Sequence, residues 1–231
     1  MKIYFVGVFI GLFACCQNNT AVDNNSTVKD SIVSNIEQQE NTLKYSKTDA
    51  QKNLPEGIKQ ELPSDCNVIK NAEGDLNQDS LNDFIVVTQR KKFAVGDTSE
   101  NAKRSVIIFI AQRDGTYKLN LKNDNIIYFI DKLGNDPLND IVIKNGYFSF
   151  EQSGNAGALN WSRIITFKYS SKSLDWNLHK DGGEIYHPVN GDLENQSEKI
   201  NKSSKDFGQI QFDQFNVYVD EWTGYLIDNM E

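Results

Sequence analysis

Positive charge is in short supply in this chain: 24 Lys and Arg stand against 32 Asp and Glu, a formal net charge of -8. A pI near 4.9 opposes binding to nucleic acid or to an anionic lipid surface, both of which need a basic patch. The basic run in Gln89-Arg90-Lys91-Lys92 reads as a solvated strand end. Histidine is scarcer still, with two residues, and neither a His-Glu-x-x-His helix nor a Cys/His zinc pattern is present. The Gly-x-Ser-x-Gly elbow, the phosphate loop and the dinucleotide fingerprint are missing as well. With 3 cysteines there is no disulfide framework. Met (2) and Pro (4) are few, and no sustained helix-period stretch stands out in the centre of the chain.

What the chain has instead is 13 Phe, 9 Tyr and many short β-branched runs separated by turn residues about every ten positions. That pattern predicts a mainly β fold: an antiparallel sheet or sandwich-like single domain with little helix, within the one substantial core that 231 residues can bury. Strands are expected at 84–89, 105–112, 117–121, 126–130, 141–150, 161–169 and 176–179. The run Ser105-Val106-Ile107-Ile108-Phe109-Ile110-Ala111-Gln112 is apolar on both faces and should be central and buried. Lys144-Asn145-Gly146-Tyr147 is the clearest hairpin, because Asn-Gly takes the two positive φ angles of a type I′ turn. Residues 190–205 read as a long polar surface loop. Phe207, Ile210, Phe212, Phe215 and Val217-Tyr218-Val219 read as a short closing helix or irregular segment docking on the sheet, with Trp222, Tyr225 and Leu226 anchoring the terminus.

The N-terminus has its own logic. Met1-Lys2 and an apolar run ending in Leu12-Phe13-Ala14 are too short to span a bilayer as a helix and have the anatomy of a secretion signal. Leu12-Phe13-Ala14-Cys15 resembles the lipobox of bacterial lipoproteins, and the resemblance implies that Cys15 is the acylated first residue of the mature chain, with Cys16 as a second candidate one residue on. Acyl chains would then tether the protein to a membrane. Residues 15–53, rich in Asn, Gln, Ser, Thr and Asp, should form a flexible polar tether, with a transient helix at 28–36, and residues 54–231 the globular domain. Cys66 is expected to be a buried thiol; pairing with Cys16 is the alternative.

The stretch with the most specific chemistry is Gly74-Asp75-Leu76-Asn77-Gln78-Asp79-Ser80-Leu81-Asn82-Asp83-Phe84-Ile85-Val86-Val87. Asp75, Asn77, Asp79 and Asp83 put side-chain oxygens at alternating loop positions, with the Leu81 carbonyl between them, and a hard cation such as calcium takes about six to eight oxygens. Ser80 and Val86 replace the Gly and Glu of an EF-hand, and the residues after Asp83 favour a strand, so the loop is not an EF-hand. It resembles the GDxNxDGxxDxxVV repeat of FG-GAP/VCBS-type proteins, which implies calcium held by a short acidic loop that feeds a strand. The other reading is an Asn/Asp-rich polar turn. Residues 68–187 further resemble a group of secreted bacterial proteins of unknown function, in which one such loop precedes a β-rich region. One acidic repeat cannot make a propeller, which needs at least about four blades.

Two further segments carry candidate chemistry. His179-Lys180-Asp181-Gly182-Gly183-Glu184-Ile185-Tyr186-His187 gathers both histidines with two acids and reads as an inter-strand loop; as a site it would belong to an extracytoplasmic hydrolase. Ser153-Gly154-Asn155-Ala156-Gly157-Ala158-Leu159-Asn160-Trp161 reads either as a binding loop beside an aromatic or as a long hairpin connection with Trp161 in the core. The reading that accounts for most of the chain is a lipid-anchored β-domain of the cell envelope, on the outer membrane or the periplasmic or surface face. It would hold a structural calcium ion, no catalytic residues and a protein or glycan partner, with no nucleic acid. A hydrolase and an inhibitor-like protein are the alternatives.

Overall fold

The computed structural model describes residues 47–228, apart from 95, 131–133, 157–158 and 187–196. Expectations for residues 1–46, including Cys15, Cys16 and the helix at 28–36, and for His187 lie outside the described residues, as do the side chains of Tyr225 and Leu226. The fold is mainly β. Two antiparallel meanders contain all the named strands: β1 (Cys66–Gly74), β2 (Asp83–Arg90), β3 (Arg104–Ala111) and β4 (Tyr117–Asn123) form one sheet in the order β1-β2-β3-β4. The second, β5-β6-β7-β8-β9, comprises β5 (Leu138–Lys144), β6 (Tyr147–Ala156), β7 (Leu159–Ser170), β8 (Asp175–Tyr186) and β9 (Ser197–Ser203).

Three layers follow from the burial pattern. On β2 and β3, Ile85, Val87, Val106 and Ile108 face the second sheet and join Phe148, Phe150, Ile165, Phe167 and Trp176 in the main core. The alternate residues Phe84, Val86, Ile107 and Phe109 face the other way, where Leu54, between the two N-terminal helices, and Ile58 of the second cover them. This is why β3 is apolar on both faces, and each such burial is worth about 1.5–3 kcal/mol. The helices are α1 (Lys47–Lys52) and α2 (Glu56–Glu61). The chain is thus already helical inside the stretch expected to be tether, and the Asn71 amide donates to the Ala50 carbonyl. None of the described helices is long and apolar enough to cross a membrane.

Several elements differ from the expectation. Residues 126–130 form no strand, although Ile126, Ile127 and Tyr128 are buried. Side chains satisfy their backbone in place of a ladder: Gln152 accepts from Tyr128 N (2.9 Å) and donates to Ile126 O (2.9 Å), and the Tyr218 hydroxyl donates to Ile127 O (2.6 Å). The expected surface loop at 190–205 contains β9 and α3 (Ser204–Phe207), the latter opened by a capping box between Ser203 and Asp206. The expected loop after His179 is the second half of β8. The Gly182-Gly183 pair runs through it as strand because a Cβ on Gly183 would collide with the Ser162 carbonyl and the Trp222 ring. Cys66 is half-buried, with Sγ toward Asp65 (3.7 Å), and burial raises its thiol pKa.

The closing segment docks on the sheet as expected, through 3₁₀ turns at Phe212–Gln214 and Val217–Val219 and helix α4 (Glu221–Asp228). The Asn123 side chain holds it by donating to the carbonyls of Phe212 (2.6 Å) and Phe215 (2.8 Å).

Candidate functional site

The acidic loop joins β1 to β2 and is folded back on its own side chains. Asp75 accepts from the amides of Asp79 (3.1 Å) and Ser80 (2.9 Å), and Asn77 Oδ1 accepts from Asp79 N (3.1 Å). Asp79 in turn accepts from Leu81 N (2.9 Å) and from the Asn77 amide group (3.0 Å). These are the local side-chain-to-backbone bonds that Asx residues offer in tight turns. They hold Gln78 at φ 64° and Ser80 at φ 71°, left-handed conformations that side chains ordinarily resist.

Both ends of the loop are fastened to the sandwich. Leu76 is fully buried and its carbonyl accepts from Trp176 Nε1 (3.0 Å), which ties the loop to β8. Asp83, the first residue of β2, is also fully buried. Its two oxygens accept from Leu76 N and Ala111 N (2.9 Å each), so one carboxylate closes the loop and pins the end of β3. Burial raises its pKa, the two amide bonds act against the rise, and the charges of Asp79 and Asp75 add to it. Gln78 reaches across to Asn145 O (3.4 Å) in the β5–β6 turn, where Asn145 (φ 54°) and Gly146 (φ 75°) take the two positive angles expected of Asn-Gly.

Of the residues expected to hold calcium, Asp75, Asn77 and Asp79 are therefore brought together, while Asp83 points inward and is occupied by two backbone donors. Among the described residues no three His, Cys, Asp or Glu side chains are gathered closely enough to hold a metal ion. The donors are nonetheless hard oxygens of the kind calcium takes, and each carboxylate oxygen that accepts one amide keeps capacity for a second partner.

The histidine segment comes apart in three dimensions. His179 is exposed and stacks edge-on against Tyr147 (5.1 Å between centroids); what burial it has, with Lys168 and Lys180, lowers its pKa. Asp181 points the other way and makes a bidentate pair with the buried Arg163 (2.9 and 2.6 Å). Glu184 sits nearest Lys199 (3.8 Å). No described acid here orients His179, the arrangement a general base requires.

The sequence reading missed two buried arginines. Arg163 binds Asp181, Asp220 and the Tyr128 hydroxyl (2.5 Å), with the rings of Trp222, Tyr128 and Phe215 within 6.0 Å. Arg104 makes a bidentate pair with Asp136 (2.6 and 2.9 Å) and donates to Gln89 Oε1 (3.0 Å). A signal for Arg163 was there: it falls in phase with Trp161, Ile165 and Phe167 on the inward face of β7. On either side of residues 157–158 the Ser153 to Trp161 segment is strand, paired from Tyr147 with Lys168 to Ala156 with Leu159, and Trp161 is buried.

Fold and loop together define a two-sheet antiparallel β-domain with an internally braced acidic turn. No protein-family model, curated protein or solved structure matches the chain.

Proposed function

We propose that the chain is a lipid-tethered binding module of the cell envelope, anchored through Cys15, whose acidic loop takes calcium as a structural ion. The observation that carries the calcium part is the bracing of the loop. Asp75, Asn77 and Asp79 are already drawn together at its exposed tip, and Leu76 and Asp83 root it in the core. Calcium would supply the counter-charge that the neighbouring Asp75 and Asp79 carboxylates lack. Without a Glu at the end of the loop, and with several oxygens already accepting amides, affinity belongs to the weak extracellular class, a dissociation constant of roughly 0.1–1 mM.

At about 1 mM free calcium the tighter end of that range stabilises the folded state by about 1.4 kcal/mol. The Cys15→Ser form should therefore melt at higher temperature in calcium than in chelator, and Asp79→Ala should abolish the difference while leaving the fold. Equal melting curves for the parent chain would leave the loop as a polar turn. The same Cys15→Ser substitution should move the chain from the membrane to the soluble fraction; retention with lipid would point to another anchor. The separation of His179 from Asp181 favours a binding role over the hydrolase alternative.

A further inference from the structure

At the far end of β6 from the acidic loop, roughly 30 Å away at about 3.3 Å per strand residue, the surface opens into a cleft of about 320 Å³. Asn135 and Asp136, on the connection before β5, form one wall. Asn155 of β6, Asn160 of β7 and Tyr186 of β8 form the other, and Trp161 lines it between them. The second wall is a single cross-strand row, since Asn155 pairs with Asn160 and Asn160 with Tyr186, which places neighbouring side chains about 5 Å apart. The two walls are joined by backbone and side chain: Ser153 N donates to Pro137 O (2.9 Å) and Asn139 Nδ2 to Ser153 Oγ (2.7 Å).

The chemistry of this lining is selective. Among the described residues its lining has no lysine or arginine, so a phosphate or carboxylate ligand would find no counter-charge there. The one carboxylate among the described lining residues, Asp136, is already paired with Arg104 and accepts from Leu138 N (3.0 Å), so its charge is compensated and a metal ion gains little from it. A half-exposed oxygen that is fixed, ionised and still able to accept is suited to hydroxyl donors. Primary amides such as Asn155 and Asn160 donate and accept at once, which matches vicinal hydroxyls that do the same. Tyr186 supplies apolar ring surface with a polar handle. Three amides, one compensated carboxylate and the Tyr186 ring in a cleft at the small end of the range for ligand pockets, about 300–1,000 Å³, fit a ring that is polar at its edge and apolar on its faces.

The geometry points to a saccharide site: the cleft takes a neutral sugar unit, with Asp136, Asn155 and Asn160 on its hydroxyls and Tyr186 against its C–H face. This deepens the binding-module reading and rests on it, but is independent of calcium, because the two sites lie at opposite ends of β6. The sugar can be free or the end of a longer glycan.

The test titrates the full chain, in a detergent without a sugar headgroup, with glucose, galactose, mannose and N-acetylglucosamine. A second arm uses disaccharides of each sugar immobilised through the reducing end; tryptophan fluorescence and saturation-transfer NMR report binding. Saturable binding of at least one sugar is expected, weakened about tenfold, or about 1.4 kcal/mol, by Tyr186→Ala and by the double variant Asn155→Ala/Asn160→Ala, and unchanged by chelator. Binding of monosaccharides identifies a free sugar as the source, and binding only of the immobilised forms identifies glycan ends. The cleft proposal is overturned by absence of saturable binding in a cooperatively folded chain. Binding that both variants retain, or displacement of the sugar by inorganic phosphate, overturns it equally. Those results leave the calcium and tether reading intact, since melting and fractionation decide that separately.

Discussion

Arg104 and Arg163 are both 1% exposed, yet they are held in opposite ways. The single anion of Arg104, Asp136, has a side chain 44% exposed and stands in the cleft wall. Arg163 has two anions, Asp181 and Asp220, at 14% and 26%, together with the Tyr128 hydroxyl and three ring faces. Burial works against the Arg163 charge, but the Asp181 hydrogen bonds and both carboxylates hold its pKa above the ordinary value. The difference separates two uses of a buried cation. Arg163 ties β7, β8 and the closing segment together, because Asp220 also accepts from Thr223 N (2.9 Å) and Tyr128 bonds Thr223 Oγ1 (2.8 Å). Arg104 holds a carboxylate at the surface with its charge already answered. One cation serves cohesion and the other presentation.

The comparison predicts unequal costs. Arg163→Met strands two partly buried carboxylates and should destabilise by about 3–5 kcal/mol, the cost of breaking a buried ion pair from one side. Arg104→Met leaves Asp136 free to hydrate, and the loss should be nearer about 1.5–3 kcal/mol, the range for hydrogen bonds to charged groups. Urea unfolding of both variants measures this. Equal losses would break the distinction, and a larger loss for Arg104→Met would reverse it.

A smaller effect sharpens the Arg163 side. Burial, with help from Asp220, pushes the Tyr128 phenol up to about 12. A tyrosine in the unfolded chain titrates near pH 10. Because the folded value is the higher one, Tyr128 contributes stability that is fully present below about pH 10 and is lost as the pH rises toward the folded value. Tyr128→Phe should flatten that part of the stability profile relative to the parent chain. An unchanged alkaline slope would mean that the phenol is not held in the cluster.

The same contrast explains what could be read from the residues in advance. Periodicity found β2, β3, the β5–β6 hairpin and β7, because their burial follows the local alternation of side chains. The acidic turn was legible for a similar reason, since its bonds run between residues two to five apart, such as Asp75 with Ser80 and Asp79 with Leu81. Segment 126–130 was not, because its partners Gln152 and Tyr218 are 24 and 91 residues distant. The cleft walls likewise come from three separate stretches that only the sheet register brings together. Asp181 does not share a face with His179, as residues two apart on a regular strand would, because the β7–β8 register shifts between Thr166 and Phe167 and leaves His179 as an extra, bulged residue.

Salt gives the finest discrimination between the two cations. The Debye length shrinks from about 30 Å at 0.01 M to about 3 Å at 1 M, and screening acts where solvent ions can approach. Asp136 is accessible, so the coupling in a double-mutant cycle of Arg104→Met with Asp136→Asn should fall with added salt, by less than about 1 kcal/mol, the scale of exposed pairs. The parallel cycle of Arg163→Met with Asp181→Asn should keep its coupling across the same range, because aromatic rings and the closing segment shield that pair. Its two-toothed geometry also fixes the partners without help from longer-range attraction. A salt response of equal size in both cycles would mean that solvent reaches Arg163 as freely as Asp136, and the division between a cohesive and a presenting arginine would fall.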